Sequence, residues 1–308
     1  MKIATMATGG IGGFLAVKLA LAGHQVATIA RGAHLDAIRA NGLTLDGAEG
    51  RQTVQPWIAT DDPAEVGPVD AIIFGVKGDG LPGAAQACAP MLGPDTVVVP
   101  FLNGVEAADR LVALLPAQHI ANGVAQISTT IAEPGLIRQV GEFNNFIFAE
   151  RDSAPSARID ALRQAIEDAG SNAPPTTDID RVLWSKFVLF AGISGITATA
   201  RCTVDDIRAH EPLGELFRAV VAETAALGRA RGVNLPDSIE ADTWRNVQAL
   251  PDGMRASVAI DLEHGRPLEI EWLAGAAKRL AAESGVEVPM NAALYALLLP
   301  YRNGRAVG

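Results

Sequence analysis

The sequence predicts an α/β protein in which a doubly wound parallel sheet is followed by an all-helical C-terminal domain. Three observations support this fold class. Apolar, strand-like runs alternate with helical segments in the first half, a glycine-rich turn joins the first run to the first helix, and helical periodicity dominates the second half. Such alternation gives parallel strands with right-handed helical crossovers. We expect two domains, over residues 1–173 and 174–308.

The strands of the predicted sheet are short and almost continuously apolar, as expected for a sheet that is covered on both faces. Their predicted ranges are residues 2–6, 25–30, 71–76 and 96–102. A crossover helix is expected around residues 80–92. Residues 122–148 interleave Thr, Ile, Val and Phe with polar residues and contain turn glycines, so we expect antiparallel strands that close the sheet.

The composition changes at residues 171–175, a segment with two prolines that we expect to join the two domains. Three long segments after it carry apolar residues at helical spacing, over residues 180–199, 212–231 and 269–284. Gly232 and Gly285 follow the second and third of these segments, and glycine commonly ends a helix. The second half is therefore predicted to be helical throughout.

The composition is that of an ordinary globular protein of 308 residues, with 49% hydrophobic and 19% charged residues. A formal net charge of −10 argues against broad contact with nucleic acid or an anionic membrane, whose phosphates it would repel. Residues 111–132 carry no formal charge but contain too many polar groups to span a bilayer. Cys88 and Cys202 lack metal-ligand spacing, so we expect reduced thiols, no metal and a cytoplasmic location. The five histidines are also scattered, and we expect most of them at the surface.

The glycine-rich turn after the first strand has the form of a dinucleotide-binding fingerprint. Gly9 and Gly12 occupy the second and third glycine positions of G-x-G-x-x-G, whereas Ala7 occupies the first. A pyrophosphate needs backbone N–H groups and the positive end of a helix dipole, and glycines let the main chain approach closely enough to supply both. The turn therefore predicts a dinucleotide site, with a tight strand-to-helix turn without a ligand as the alternative.

Three polar residues at strand ends extend this prediction. Arg31 follows the second strand, where an enzyme that selects NAD would place an acidic residue, and a cation there suits the 2′-phosphate of NADPH. Lys77 and Asn103 follow later strands, at the carboxyl edge where open α/β sheets bind ligands. The alternatives are a solvated arginine, a solvated lysine and an ordinary Asn-Gly turn.

Over nearly its full length the chain resembles the ketopantoate reductases (2-dehydropantoate 2-reductases). The order and spacing of several short motifs carry the resemblance. These motifs are Gly9-Gly10-Ile11-Gly12-Gly13, Arg31, Val76-Lys77, Asn103-Gly104, Pro134-Gly135, Trp184-Ser185-Lys186-Phe187, Ser257, Asp261 and Gly265-Arg266-Pro267-Leu268-Glu269-Ile270-Glu271. The resemblance implies a Rossmann-type domain followed by a helical domain, with NADPH reducing a 2-oxo acid to a 2-hydroxy acid in the cleft between them.

The resemblance also implies roles for individual residues. Lys186 and Glu269 are the implied catalytic residues, with Lys186 as general acid and Glu269 as a partner of the substrate or of the lysine. Both are also implied substrate ligands, together with Asn103 and Ser257. The implied cofactor-binding residues are Thr8, Gly9, Gly10, Ile11, Gly12, Arg31, Lys77 and Asn103. Physical chemistry agrees for the lysine, because hydride transfer leaves negative charge on the carbonyl oxygen and an ammonium can stabilise and then protonate it.

Each of these side chains also has a purely structural alternative. Lys186 lies in an apolar helical segment that would tend to lower its pKa, but a lysine there can also extend along the helix to reach solvent. Glu269 would begin the predicted helix over residues 269–284, where a carboxylate interacts favourably with the helix dipole. Ser257 could equally be an ordinary first-turn residue of a helix.

The chain departs from the family at two positions on the predicted lysine helix. Family members carry asparagines four and eight residues after the lysine, where this chain has Phe190 and Ser194. Losing two amides should weaken a preference for the hydroxyl of ketopantoate. We therefore expect a 2-oxo acid reductase whose substrate pocket includes Phe190 and Ser194, with a more apolar carbonyl substrate as an alternative.

Two alternatives outside the reductases are a non-catalytic NADPH-sensing protein and an S-adenosylmethionine-binding protein. Arg31, in place of an acidic residue, disfavours the S-adenosylmethionine-binding protein. The helices of the second half could pack internally or against a second copy, which would make the protein a homodimer.

Overall fold

The computed structural model describes residues 1–305, which form two compact units. Unit 1 comprises Met1–Leu102 and Ala107–Ile179, and unit 2 comprises Asn103–Glu106 together with the chain from Asp180 onwards. Residues 306–308, which the sequence assigns to the second domain, lie outside the described residues. The domain boundary between residues 173 and 174 stays a prediction.

Unit 1 contains a parallel sheet and a second, mixed sheet. Its elements are, in chain order, β1 (Lys2–Met6), α1 (Gly10–Leu21), β2 (Gln25–Ile29), α2 (Gly32–Asn41), β3 (Leu43–Gly47), β4 (Gly50–Val54), β5 (Ile58–Thr60), β6 (Val69–Phe74), α3 (Leu81–Cys88), β7 (Leu92–Pro100), α4 (Ala107–Val112), β8 (Ala121–Glu133), β9 (Leu136–Glu150) and α5 (Ala157–Asp168).

The first sheet has five parallel strands in the order β5-β2-β1-β6-β7. In β1 and β2 the last four residues are buried, and in β6 all but the second are. Such near-continuous burial is expected when helices cover both faces of a sheet. The Rossmann-like fold class predicted for the N-terminal half is confirmed, with the predicted strands in place to within a few residues.

The antiparallel strands predicted over residues 122–148 form, as β8 and β9, but they do not close the parallel sheet. They belong to a separate four-stranded sheet in the order β4-β3-β9-β8, in which β3 pairs parallel to β9. One isolated bridge, Val98 to Ile120, joins β7 to the start of this hairpin. The apolar face of the hairpin packs on α1 instead, where the rings of Phe14 and Phe146 stack at 5.9 Å.

Unit 2 is helical, as predicted. Its helices are α6 (Ile179–Thr199), α7 (Val204–Ala209), α8 (Glu211–Ala230), α9 (Ile239–Ala249), α10 (Ser257–Glu263), α11 (Ala274–Ser284) and α12 (Pro289–Leu298). Long and apolar, α6 meets the length and composition of a membrane span. However, 61% of its apolar 18-residue window is buried inside the protein, as in the core helix of a globular domain. Phe187, Val188 and Ile196 of α6 all lie in the core of unit 2.

The continuous helix predicted over residues 269–284 is wrong. Residues Glu269–Trp272 form a separate 3-10 turn, and α11 starts only at Ala274. Leu273 between them has φ −115° and ψ −101°, which is incompatible with a continuous helix. Glu269 therefore begins a short turn rather than a long helix, and a long helix dipole is not its partner.

Both cysteines are free and buried, in agreement with the expected reduced thiols. Burial raises the pKa of the Cys88 thiol to about 12, so this side chain is protonated and unreactive at neutral pH.

Candidate active site

The glycine turn between β1 and α1 presents backbone N–H groups at the start of a helix. Thr8 donates its N–H to the carbonyl of Ile29 at 2.8 Å, and the first helical bond runs from Gly13 to Gly9 at 2.7 Å. The N–H groups of residues 10–12 precede the point where intrahelical acceptors become available. The first turn of α1 also contains no acidic residue. This arrangement suits a phosphate group.

The glycines of the turn are required by close packing. A Cβ on Gly12 would lie 3.3 Å from the carbonyl oxygen of Ala7, and one on Gly75, just after β6, would lie 3.1 Å from the Gly12 nitrogen. A Cβ on Gly10 would lie 2.6 Å from the carbonyl oxygen of Thr129 in β8. Side chains at these positions would push β6 and β8 away from the turn.

Ala7 adopts a left-handed conformation, with φ +57°. This is the position where the fingerprint carries its first glycine, so the departure from the fingerprint coincides with a strained backbone. A non-glycine residue in this region costs about 1–2 kcal/mol because its Cβ crowds the following carbonyl oxygen.

We expect Ala7→Gly to stabilise the protein by about 1 kcal/mol, because relief of the crowding exceeds the extra entropy of glycine in the unfolded chain. The thermal midpoint of unfolding measures the effect. Ala22→Gly is the matched control, since Ala22 has an ordinary φ of −76° and should gain nothing. Equal thermal midpoints for Ala7→Gly and the wild type would contradict backbone strain at Ala7.

His34 connects this turn to the hairpin turn between β8 and β9. The N–H of Gly135 donates to Nδ1 of His34 at 2.9 Å, and Nε2 lies 2.9 Å from the carbonyl oxygen of Thr8. Only the neutral ring with its proton on Nε2 satisfies both bonds, and burial accordingly lowers the pKa of His34. Of the five histidines, which all lie in the described part of the chain, only His119 is buried; His24 and His34 are partly buried, and His210 and His264 are exposed, so four of the five reach the surface as expected.

Arg31 and Lys77 lie at the same edge of the parallel sheet as the turn. Arg31 is exposed and caps α2 directly after β2, and Lys77 is exposed three residues after β6. Because β2 and β6 both pair parallel to β1, their carboxyl ends meet at one edge. Unit 1 thus groups the predicted cofactor residues except Asn103, which belongs to unit 2.

Unit 2 brings together the predicted catalytic residues around Lys186 of α6. The ammonium of Lys186 donates to Oδ1 of Asn103 at 3.2 Å, and it lies 5.0 Å from the centre of the Phe190 ring. Although part of the side chain is exposed, burial lowers the pKa of Lys186 to about 8, and the charge of Glu269 opposes this shift. Such a lysine is poised to exchange a proton near neutral pH.

The position of Asn103 depends on Gly104. Gly104 has φ +89°, and a Cβ there would collide with the carbonyl oxygen of Trp272. The segment Asn103–Glu106 therefore lies directly against the 3-10 turn Glu269–Trp272. Close contact between these two segments explains how Asn103 and Glu269 both reach Lys186, although more than 160 residues separate them in sequence.

Of the remaining predicted substrate residues, Ser194 lies farther along α6 and Ser257 lies on α10. Ser194 is on the same helix face as Lys186 and Phe190 but only 3% exposed. Ser257 is exposed at the start of α10. The backbone N–H of its neighbour Ala256 donates to the hydroxyl of Thr197 at 3.4 Å. Thr197 lies about three turns along α6 from Lys186.

Sequence reasoning missed a charged cluster beside this site. Arg279 donates to Oε2 of Glu106 at 2.8 Å, to the carbonyl oxygen of Glu271 at 2.7 Å and to Oε2 of Glu271 at 3.2 Å. No sequence signal identifies the pair Arg279–Glu106, because its members lie 173 positions apart.

Comparison with known proteins identifies the family. Residues 3–152 match the family model described as ketopantoate reductase PanE/ApbA, and residues 178–302 match that of its C-terminal part. A 2-dehydropantoate 2-reductase of Mesorhizobium japonicum is 32% identical, with 97% of each chain covered.

Solved structures agree with these matches. A PanE/ApbA family ketopantoate reductase from Ralstonia eutropha aligns with TM-score 0.89 and 31% identity over 98% of each chain. A 2-dehydropantoate 2-reductase from Geobacter metallireducens aligns with TM-score 0.90 and 26% identity, over 97% of this chain and 99% of its own. With a Rossmann-like unit, a helical unit and a lysine held by Asn103, the chain belongs to the ketopantoate reductase family.

Proposed function

We propose that this protein is an NADPH-dependent reductase that converts a 2-oxo acid to a 2-hydroxy acid, with Lys186 as general acid. Family membership supports a pyridine-nucleotide-dependent reductase of a small oxo acid. The observation that carries the proposal is the Lys186 ammonium, hydrogen-bonded to Asn103 and influenced by the charge of Glu269. A sensor that only bound a nucleotide would not need this arrangement.

The residues of unit 1 fit NADPH. The N–H groups at the start of α1 suit the pyrophosphate, with Thr8, Gly9, Gly10, Ile11 and Gly12 forming the turn. Arg31, exposed after β2, suits a 2′-phosphate. Lys77 lies at the same sheet edge and would add a second cation for the nucleotide.

In the proposed reaction, NADPH when bound supplies the hydride to the carbonyl carbon. Lys186 donates a hydrogen bond to the carbonyl oxygen, stabilises the negative charge that develops there and transfers a proton from Nζ to that oxygen. Asn103 holds the ammonium through its amide oxygen. Glu269 favours the charged form of Lys186, which counteracts the effect of burial. The interdomain cleft expected from the family resemblance stays a prediction.

The pH dependence of the reaction follows from the lowered pKa of Lys186. Reduction needs the ammonium, so kcat/KM for reduction, which reports the pKa values of the free enzyme, should fall tenfold per pH unit above about pH 8, where Lys186 loses its proton. The reverse oxidation needs the neutral amine and should rise through the same range. In Glu269→Gln the inflection should move to lower pH, because the charge that raises the pKa is gone. An inflection near pH 10, the ordinary range of lysine, would contradict the assignment.

One observation favours a more apolar substrate than ketopantoate. The Phe190 ring, partly exposed and 5.0 Å from Nζ of Lys186, places an apolar surface next to the proposed proton donor. A phenylalanine offers no hydrogen bond to a substrate hydroxyl. We therefore propose a hydroxyl-free, branched 2-oxo acid as the preferred substrate, with ketopantoate reduced up to about 100-fold less efficiently.

A substrate panel tests both the proposed reductase activity and the proposed preference for an apolar substrate. Initial rates are measured with ketopantoate and with hydroxyl-free branched 2-oxo acids, using NADPH and NADH side by side. We expect the hydroxyl-free acids and NADPH to give the higher kcat/KM, and Phe190→Asn to shift preference toward ketopantoate. A strong preference of the wild type for ketopantoate would reject the apolar substrate, whereas nucleotide binding without turnover would support a sensor.

The remaining expectations stay predictions. They are the cytoplasmic location, the homodimer, and the roles of Ser194 and Ser257 toward the substrate.

A further inference from the structure

One guanidinium joins the two chain segments that supply the neighbours of Lys186. Arg279, on α11, bonds Glu106, three residues after Asn103, and it bonds both the carboxylate and the carbonyl of Glu271, two residues after Glu269. The side chain of Glu106 is 15% exposed and that of Glu271 is 26% exposed. Charge-assisted bonds in such partly buried positions are stronger than those of surface pairs.

The geometry requires an arginine rather than any cation. Nη2 of Arg279 donates to the carboxylate of Glu106 and to the backbone carbonyl of Glu271, while Nη1 donates to the Glu271 carboxylate. The planar fork offers these donors in fixed directions, whereas a lysine ammonium is a single point charge on a flexible stem. The opposite carboxylate oxygen of Glu271 is held independently, by the hydroxyl of Tyr295 at 2.8 Å and by Arg302 at 3.3 Å. Arg279 thus links Glu271 to Glu106 through one guanidinium.

We propose that Arg279 is a positioning residue that fixes Asn103 and Glu269 relative to the Lys186 ammonium. The inference rests on the proposed role of Lys186 in catalysis. Without Arg279, Glu106 loses a bond that anchors the Asn103 segment, and the 3-10 turn carrying Glu269 loses a hydrogen-bonded link to that segment. The hydrogen bond to Asn103 and the influence of Glu269 on the ammonium then both weaken.

The main test is the titration of Lys186 itself, which does not depend on turnover. The chain contains five lysines, so ¹³Cε-lysine labelling gives few NMR signals, and Lys186→Arg assigns the relevant one. These lysines are Lys2, Lys18, Lys77, Lys186 and Lys278. In Arg279→Met we expect the midpoint of Lys186 to fall below that of the wild type, because Glu269 supports the ammonium less. Arg302→Met is the matched control and should leave the midpoint unchanged, since it removes a cation from Glu271 without touching Glu106.

Kinetics provide the second test. Arg279→Met should lower kcat by about 10- to 100-fold, as expected for a small misplacement of catalytic groups, with KM for the nucleotide unchanged. Arg279→Lys should not restore kcat, and adding Glu106→Gln to Arg279→Met should cost little more, because both changes break one connection.

If Arg279→Met fails to fold, Glu106→Gln alone tests the same link between Arg279 and the Asn103 segment. It keeps the shape of the side chain and leaves the Arg279–Glu271 bonds in place, and we expect a lower Lys186 midpoint and a lower kcat. A folded Arg279→Met or Glu106→Gln protein with a wild-type midpoint and wild-type kcat would overturn the inference. A wild-type protein that reduces no 2-oxo acid would reject the proposed function, and the NMR midpoints would still decide the role of Arg279.

Discussion

Replacing Lys186 with methionine should slow reduction by orders of magnitude while nucleotide binding persists. Methionine approximates the length of the lysine stem but has no proton to donate, so we expect kcat to fall by about 10²- to 10⁴-fold, the range typical of general acid catalysis. The cofactor turn lies in unit 1 and Lys186 in unit 2, so the Kd for NADPH should change little. Stopped-flow absorbance measures the hydride-transfer rate, and fluorescence titration measures nucleotide binding.

Lys278→Met is the control for this change. It removes a lysine of unit 2 whose ammonium lies 5.4 Å from the Tyr295 ring, away from the bonds to Asn103. Its kcat should match that of the wild type. Near-normal turnover in Lys186→Met would remove the lysine from its assigned role and leave the proposed mechanism without a proton donor.

Replacing Gly104 with alanine should have the second largest effect. The new Cβ meets the carbonyl oxygen of Trp272 at a position that already has φ +89°. Backbone atoms cannot rotate out of the way as a side chain can, so the Asn103 segment must shift. A shift of about 1 Å in a catalytic group costs about 100-fold in rate, and we expect kcat to fall by that amount.

Gly232→Ala separates the backbone strain of a positive φ from the collision of the new Cβ, the two changes that Gly104→Ala combines. Gly232 has φ +82°, but a Cβ at this position would have no neighbouring atom within 4 Å, so the variant carries the backbone strain without the collision. We expect it to lower the thermal midpoint while kcat stays at the wild-type value. If Gly104→Ala behaves like Gly232→Ala, close contact between the Asn103 segment and Trp272 does not control the site.

Four of the five strands of the parallel sheet were predictable because β1, β2, β6 and β7 each contain a nearly continuous apolar run, whereas the three-residue β5 was not. The glycine turn was predictable because few residues other than glycine allow its packing. The second sheet was predictable only in its β8–β9 hairpin, since β3 and β9 pair across about 90 residues and neither strand is continuously apolar. The break at Leu273 also escaped prediction. Apolar spacing continues across it, and only the backbone angles separate the 3-10 turn from α11.

The candidate site was predictable to the extent that its residues occur in short motifs. Lys186, Asn103 and Glu269 lie in such motifs, and the structure places them together in unit 2. The hydrogen bonds of Arg279 and of His34 could not be predicted from short motifs. Both depend on side chains whose partners are distant in sequence, and neither Arg279 nor His34 carries a local pattern that distinguishes it from a surface residue.

Transfer of deuterium from labelled cofactor tests the central claim most directly. NADPH carrying deuterium at C4 of the nicotinamide, on the face from which hydride is transferred, is incubated with the protein and a hydroxyl-free branched 2-oxo acid. The product is then analysed by mass spectrometry and NMR. We expect one deuterium at C2 of the 2-hydroxy acid, and at least about 100-fold less of this product with Lys186→Met over the same time. Bound but unconsumed NADPH, with no labelled hydroxy acid from any member of the substrate panel, would contradict the proposed reductase.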